Sequence, residues 1–132
     1  MSPSSETVVV GYDGSDTSKA AVHLAARHVR GSGRVVIVHC KGDSDGVFEL
    51  EPALSELLAG TPCEMLLSAD APARALVEIA RDCNAMEIVV GARDYGLVRS
   101  GLGSVAVRVV YEADRPVTIV PPGFDPDYPE TA

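Results

Sequence analysis

Apolar residues in this chain follow two rhythms. At positions 8–10, 35–38 and 88–90 they form continuous runs rich in Val and Ile. An unbroken run has no polar face, so it suits a strand covered on both sides, as in a parallel sheet. The pattern predicts strands at Thr7–Gly11, Arg34–Cys40 and Glu87–Gly91, a weaker one over 62–68 and a last one at Val117–Val120. Between the strands the apolar positions recur at helical spacing. Ala21, Val22, Leu24, Ala25, Ala26 and Val29 line one face of a helix expected over 18–29, which Gly31, Ser32 and Gly33 end. Asp16, Thr17 and Ser18 offer oxygens to cap it. Ala75, Leu76, Ile79, Ala80 and Cys83 mark a helix over 72–84. Shorter helices are expected over 51–58, with Pro52 in the first turn, and over 104–113.

Strand and helix alternate throughout. That order predicts an α/β fold: a single open five-stranded parallel sheet flanked by helices on both faces, Rossmann-like, with right-handed crossovers. The three continuous runs should be its most buried strands. In such sheets ligands lie beyond the carboxyl ends of the strands, where the strand order reverses. The first and fourth strands both end in glycine-containing turns on that edge, which brings Asp13 toward the loop 91–104.

A length of 132 residues fits one domain with a core of its own. Residues 1–6 read as a flexible leader, 7–121 as the domain, and 122–132, acidic and proline-rich, as a disordered tail. With aromatics at only 5% and no Trp, the core must be aliphatic. The formal net charge of -8 argues against nucleic acid and against an anionic membrane surface. No apolar run approaches the ~20 residues of a membrane span. No signal segment is visible at the start, and Cys40, Cys63 and Cys83 are isolated rather than spaced as metal ligands. They read as reduced thiols, two of them packed in the core, and the expected location is cytoplasmic.

The candidate chemistry lies in EIVVGARDYGLVRSGLGSV, residues 87–105. A strand, a loop rich in glycine and small polar residues, and a helix start follow one another. Glycines let backbone N–H groups approach an anion, and the first helical turn adds free donors and the positive end of the helix dipole. Ser104 also suits the cap of the following helix.

From 8 to 121 the chain resembles the universal stress protein family. VVVGYDGS at 8–15, IVVGAR at 88–93, LGSV at 102–105 and ADRPVTIVP at 113–121 carry the resemblance. The nucleotide-binding branch of that family has a loop of the form G-x-x-G, nine residues, then G-[S/T]. Gly91 matches the first glycine and Gly103 with Ser104 the closing pair. Asp94 stands at the second glycine, and eight residues, 95–102, separate it from the close. The resemblance implies a module of stress response or signalling that binds ATP or a related adenine nucleotide, with Mg2+ as companion. It implies Asp13 at the adenosine end, Cys40 lining the adenine pocket, and Gly91, Arg93, Gly103, Ser104 and Val105 around ribose and phosphates. Asp94 should weaken that binding. At an effective dielectric near 20, two unit charges ~4 Å apart interact by about 4 kcal/mol, and a side chain excludes conformations that glycine adopts. A bound Mg2+ would reverse the sign and make Asp94 its partner. Both readings stand.

The resemblance further implies a homodimer through Val117, Thr118, Ile119 and Val120. A final β-branched strand at a sheet edge invites pairing, and Pro116 and Pro121 confine the pairing to those four residues. For catalysis the sequence offers no nucleophile elbow, no paired carboxylates and no Walker lysine pattern. His23, His28 and His39 lie at no catalytic spacing from a Cys or carboxylate, so slow ATP hydrolysis is the nearest enzymatic reading. Two classes of function remain. Gly91, Gly103, Ser104 and Asp13 favour a nucleotide-binding sensor. Asp94 and the shortened loop favour a homodimeric interaction module without nucleotide.

Overall fold

Strands β1 (Thr7–Gly11), β2 (Arg34–Cys40), β3 (Cys63–Ser68), β4 (Glu87–Gly91) and β5 (Val117–Val120) form one sheet in the order β3-β2-β1-β4-β5. Every neighbouring pair is parallel. Helices α1 (Asp16–His28), α2 (Pro52–Leu57), α3 (Pro72–Asp82) and α4 (Ser104–Glu112) connect them. The computed structural model describes residues 6–29, 33–40, 52–68, 71–92 and 104–127, with Cys40 and Ala53 described by their backbone.

The three continuous runs occupy the three inner strands, as their pattern predicts. Alternation along each strand divides their side chains between two apolar layers. Val8, Val10, Val35, Ile37 and Val89 pack with residues of α1 and α2. Val9, Val36, Val38, Ile88 and Val90 pack with residues of α3 and α4. Both faces are therefore covered, which is why these strands carry no polar face. The weaker pattern of the third strand also has a cause: β3 is an edge, and its Met65 and Leu67 are exposed.

Two local expectations are corrected. The cap of α1 is Ser15, whose Oγ accepts the Ser18 N–H at 3.2 Å, whereas Asp16, Thr17 and Ser18 lie inside the first turn. Thr17 and Ser18 are buried there, their hydroxyls turned to protein partners. Helix α3 ends at Asp82 rather than 84, because Asn84 takes a left-handed φ of 54° that a helix cannot continue. Of the two cysteines with described side chains, Cys63 is exposed on edge strand β3, and Cys83 is half-buried after α3 and packs against the α3-side layer.

Part of the tail has partners. Phe124 packs against the layer that holds α1. The Arg27 Nη1 donates to the Pro126 carbonyl at 2.7 Å, and His23 Nε2 lies 3.3 Å from Asp127 Oδ1. Residues 124–127 thus have partners on and beside α1, where average composition reads as disorder. One apolar anchor and two basic groups on the helix outweigh that average. Nearby, Glu87 meets His28 Nδ1 at 2.9 Å and accepts the Thr118 hydroxyl, which ties the start of β4 to α1 and β5.

Candidate functional site

The strand order reverses between β1 and β4. The chain leaves β1 into α1 on one face and leaves β4 for α4 on the other. A crevice therefore opens beyond the carboxyl ends of these two strands. The turn after β1, the end of β4 and the first turns of α1 and α4 border it.

Asp13 is exposed in the β1 turn. Its Oδ1 accepts the Ser15 N–H at 2.9 Å, and its own N–H donates to the Ser18 Oγ at 3.2 Å. This is an Asx turn, completed by Gly14 at φ 88°. The same contacts fix the start of α1 and hold the carboxylate at the crevice. Behind it, Tyr12 donates its N–H to the Val38 carbonyl at 3.0 Å, and His39 Nδ1 meets the Tyr12 carbonyl at 2.9 Å. The exit of β1 is thereby joined to the end of β2, where the Cys40 backbone closes the strand beside Ser68.

Gly91 ends β4 under the first turn of α1. A Cβ built there would stand 2.5 Å from Thr17 Oγ1, 2.7 Å from its Cβ and 2.8 Å from its carbonyl carbon. The Thr17 hydroxyl donates to the Ala92 carbonyl at 2.6 Å in a buried bond. The observed reason for glycine here is close helix-to-strand packing. In the sequence, Gly91 stands as a ligand position and Thr17 as one of three cap candidates. No local signal pairs two positions so far apart in the chain.

Ser104 is exposed at the start of α4, and Val105 is half-buried against the α3-side layer. Here the first turns of α3 and α4 flank an open cavity of about 460 Å³, lined by Ala71 to Arg74 and by Ser104, Val105 and Arg108. Nothing in the sequence singles out Arg74 and Arg108, because only tertiary packing brings the two helix starts together. Of the predicted site residues, Asp13, Cys40, Gly91, Ser104 and Val105 come to one edge of the sheet. Arg93, Asp94 and Gly103 lie outside the described residues.

The described thiols give no support to nucleophilic chemistry. Burial pushes both Cys63 and Cys83 up, toward the unreactive protonated form. Cys63 also begins β3, at the end of the sheet away from the crevice. Among the described residues no cluster of three or more His, Cys, Asp or Glu side chains is arranged to hold a metal ion. None of the helices described is long and apolar enough to cross a membrane.

The fold is that of a small open α/β domain whose strand order reverses between β1 and β4. The family model described as "Universal stress protein family" matches residues 48–121. A relative from Thermus aquaticus, "Universal stress protein in QAH/OAS sulfhydrylase 3'region", is 34% identical over 134 residues, spanning 87% of this chain and 98% of the relative. The chain belongs to the universal stress protein family. Among solved structures it is similar to a universal stress protein in complex with cAMP, with 30% identity, a TM-score of 0.72, and coverage of 89% of this chain and 98% of the other. It is also similar to a universal stress protein from Archaeoglobus fulgidus, with 25% identity, a TM-score of 0.67 and coverage of 87% and 93%.

Proposed function

We propose that this domain binds an adenine nucleotide in the β1–β4 crevice and acts in stress response or signalling by presenting a ligand-dependent surface, without turning substrate over. One observation carries the reading: the Asp13 turn and the α4 N-terminus share the edge where the strand order reverses. The relative solved with cAMP supports an adenine ligand at this fold. In this reading Asp13 accepts from ribose hydroxyls and the end of β2 at Cys40 flanks the base. Gly91, Arg93, Gly103, Ser104 and Val105 surround ribose and phosphates. The ligand is ATP or a close analogue, held weakly because of Asp94, and the module works in the cytoplasm.

Asp94 provides the test. In calorimetry without Mg2+, Asp94→Gly should tighten ATP binding by about 1 kcal/mol, the scale of a solvated charge pair. Weaker binding by the variant would make Asp94 a ligand or metal partner and overturn the repulsion argument.

A second reading, compatible with the first, is a homodimer through β5. This strand pairs only with β4 among the described strands, and Val117, Thr118 and Ile119 are half-exposed. The tail contacts described above lead to α1. Helix α4 packs on α3 and β5 and adds apolar surface outside, with Val110 at 48% exposure and Tyr111 at 84%. An unpaired edge beside an apolar helix flank suits a second copy of the chain.

A further inference from the structure

The chain carries a net charge of -8, yet none of the described residues lining the α3–α4 cavity is acidic, and two are arginines. Arg108 lies one turn into α4, and its Nη2 donates to Glu112 Oε2 at 3.1 Å. A guanidinium has five N–H donors, so that pairing leaves others for a second acceptor. Arg74 lies in the first turn of α3, where the helix dipole favours an acid and disfavours a cation. That turn holds no acidic residue. The cap position is Ala71, which makes no side-chain capping bond. Helix α1, by contrast, has both Ser15 as cap and Asp16 in its first turn. The start of α3 thus has Pro72 in its first turn but neither a capping side chain nor an acid, and it adds a positive charge at its positive pole. An acceptor brought by a ligand would supply the negative partner that this end lacks.

The cavity volume of about 460 Å³ is in the range of small-molecule sites. Its lining includes Ser104 and Val105, which the nucleotide reading sets beside the phosphates. We propose that Arg74 and Arg108 bind the outer phosphates of a nucleoside di- or triphosphate and so make the domain discriminate by phosphate number. The inference rests on the nucleotide reading and adds the determinant of selectivity. Arginine suits the task because its planar fork matches phosphate oxygens and stays charged.

The experiment is calorimetry of the full chain with ATP and with AMP, in EDTA. Wild type should bind ATP at least about tenfold tighter than AMP, the effect of one charge-assisted contact. Arg74→Glu and Arg108→Ala should each lower ATP affinity about tenfold or more and leave AMP within about twofold. Inorganic tripolyphosphate should compete with ATP but not with AMP. Arg74→Glu should also keep or raise Tm, since it restores the charge the dipole prefers. Equal binding of ATP and AMP, unchanged in the variants, would overturn the selectivity role and leave the nucleotide reading standing. Parallel losses for ATP and AMP would likewise reject discrimination by phosphate number. Absence of binding by either nucleotide would remove both.

Discussion

Gly91→Ala should destabilise the domain by about 2–3 kcal/mol, the range of an overpacked core, and lower Tm by roughly 10 °C at this chain length. The added methyl would meet the carbonyl carbon of Thr17 at 2.8 Å as well as its side chain. A flexible side-chain tip can swing aside, but backbone in the first turn of α1 cannot. That turn is fixed from several sides: Ser15 caps it, Ser18 bonds to the Asp13 turn, and Thr17 bonds to Ala92. Relieving the clash would lift α1 off β4 and break the buried Thr17 bond. Thr17→Ala removes the hydroxyl and the γ-methyl but leaves the Cβ and the carbonyl carbon where the new methyl would meet them, so it should not rescue Gly91→Ala. Thermal melts of both single variants and the double variant check this. A Gly91→Ala protein as stable as wild type would mean that α1 does not seat against β4 as described.

Ile119→Lys should convert a dimer into a monomer, read by light scattering as a halved mass. Across a two-fold axis each strand meets its own copy, so one substitution places two like charges close together. Ile119 also packs partly against the α3-side layer, so some loss of Tm is expected. Val110→Glu separates the two effects. Val110 follows Arg108 by two residues, about 200° around the helix and so on the flank away from α3. It is 48% exposed, so its replacement should leave the fold intact and still weaken the dimer. A wild-type protein that is monomeric at micromolar concentration, or two variants that remain dimeric, would remove β5 from any interface.

The sheet was legible because burial on two faces leaves an unmistakable trace in the chain. Val8 to Val10 and Ile88 to Val90 have no polar alternation because α1 covers one side and α3 with α4 the other. The start of α1 was misplaced for the opposite reason. Ser15, Asp16, Thr17 and Ser18 are all cap-forming types, so composition cannot choose among them. Burial of Thr17 and Ser18 makes the choice, and burial is tertiary. Asp13 was legible as part of a turn at the strand ends. The packing role of Gly91 was not, because its partner Thr17 is brought close only by the fold. Arg74 likewise carries no signal in the sequence that sets it apart from other helix residues. Its setting changes once the start of α4 stands across the cavity. In the tail, Phe124 was hidden by acidic and proline-rich neighbours that dominate any average.

Whether an adenine nucleotide occupies the crevice between β1 and β4, as proposed, is read most directly by backbone amide NMR during an ATP titration. Saturable shifts are expected in Tyr12 to Gly14, in Gly91 and Ala92, and in Ser104 to Ala106. The amides of His28, Glu87 and Met86, at the opposite end of the sheet, should stay still. No shifts at millimolar ATP, or shifts confined to that opposite end, would contradict it.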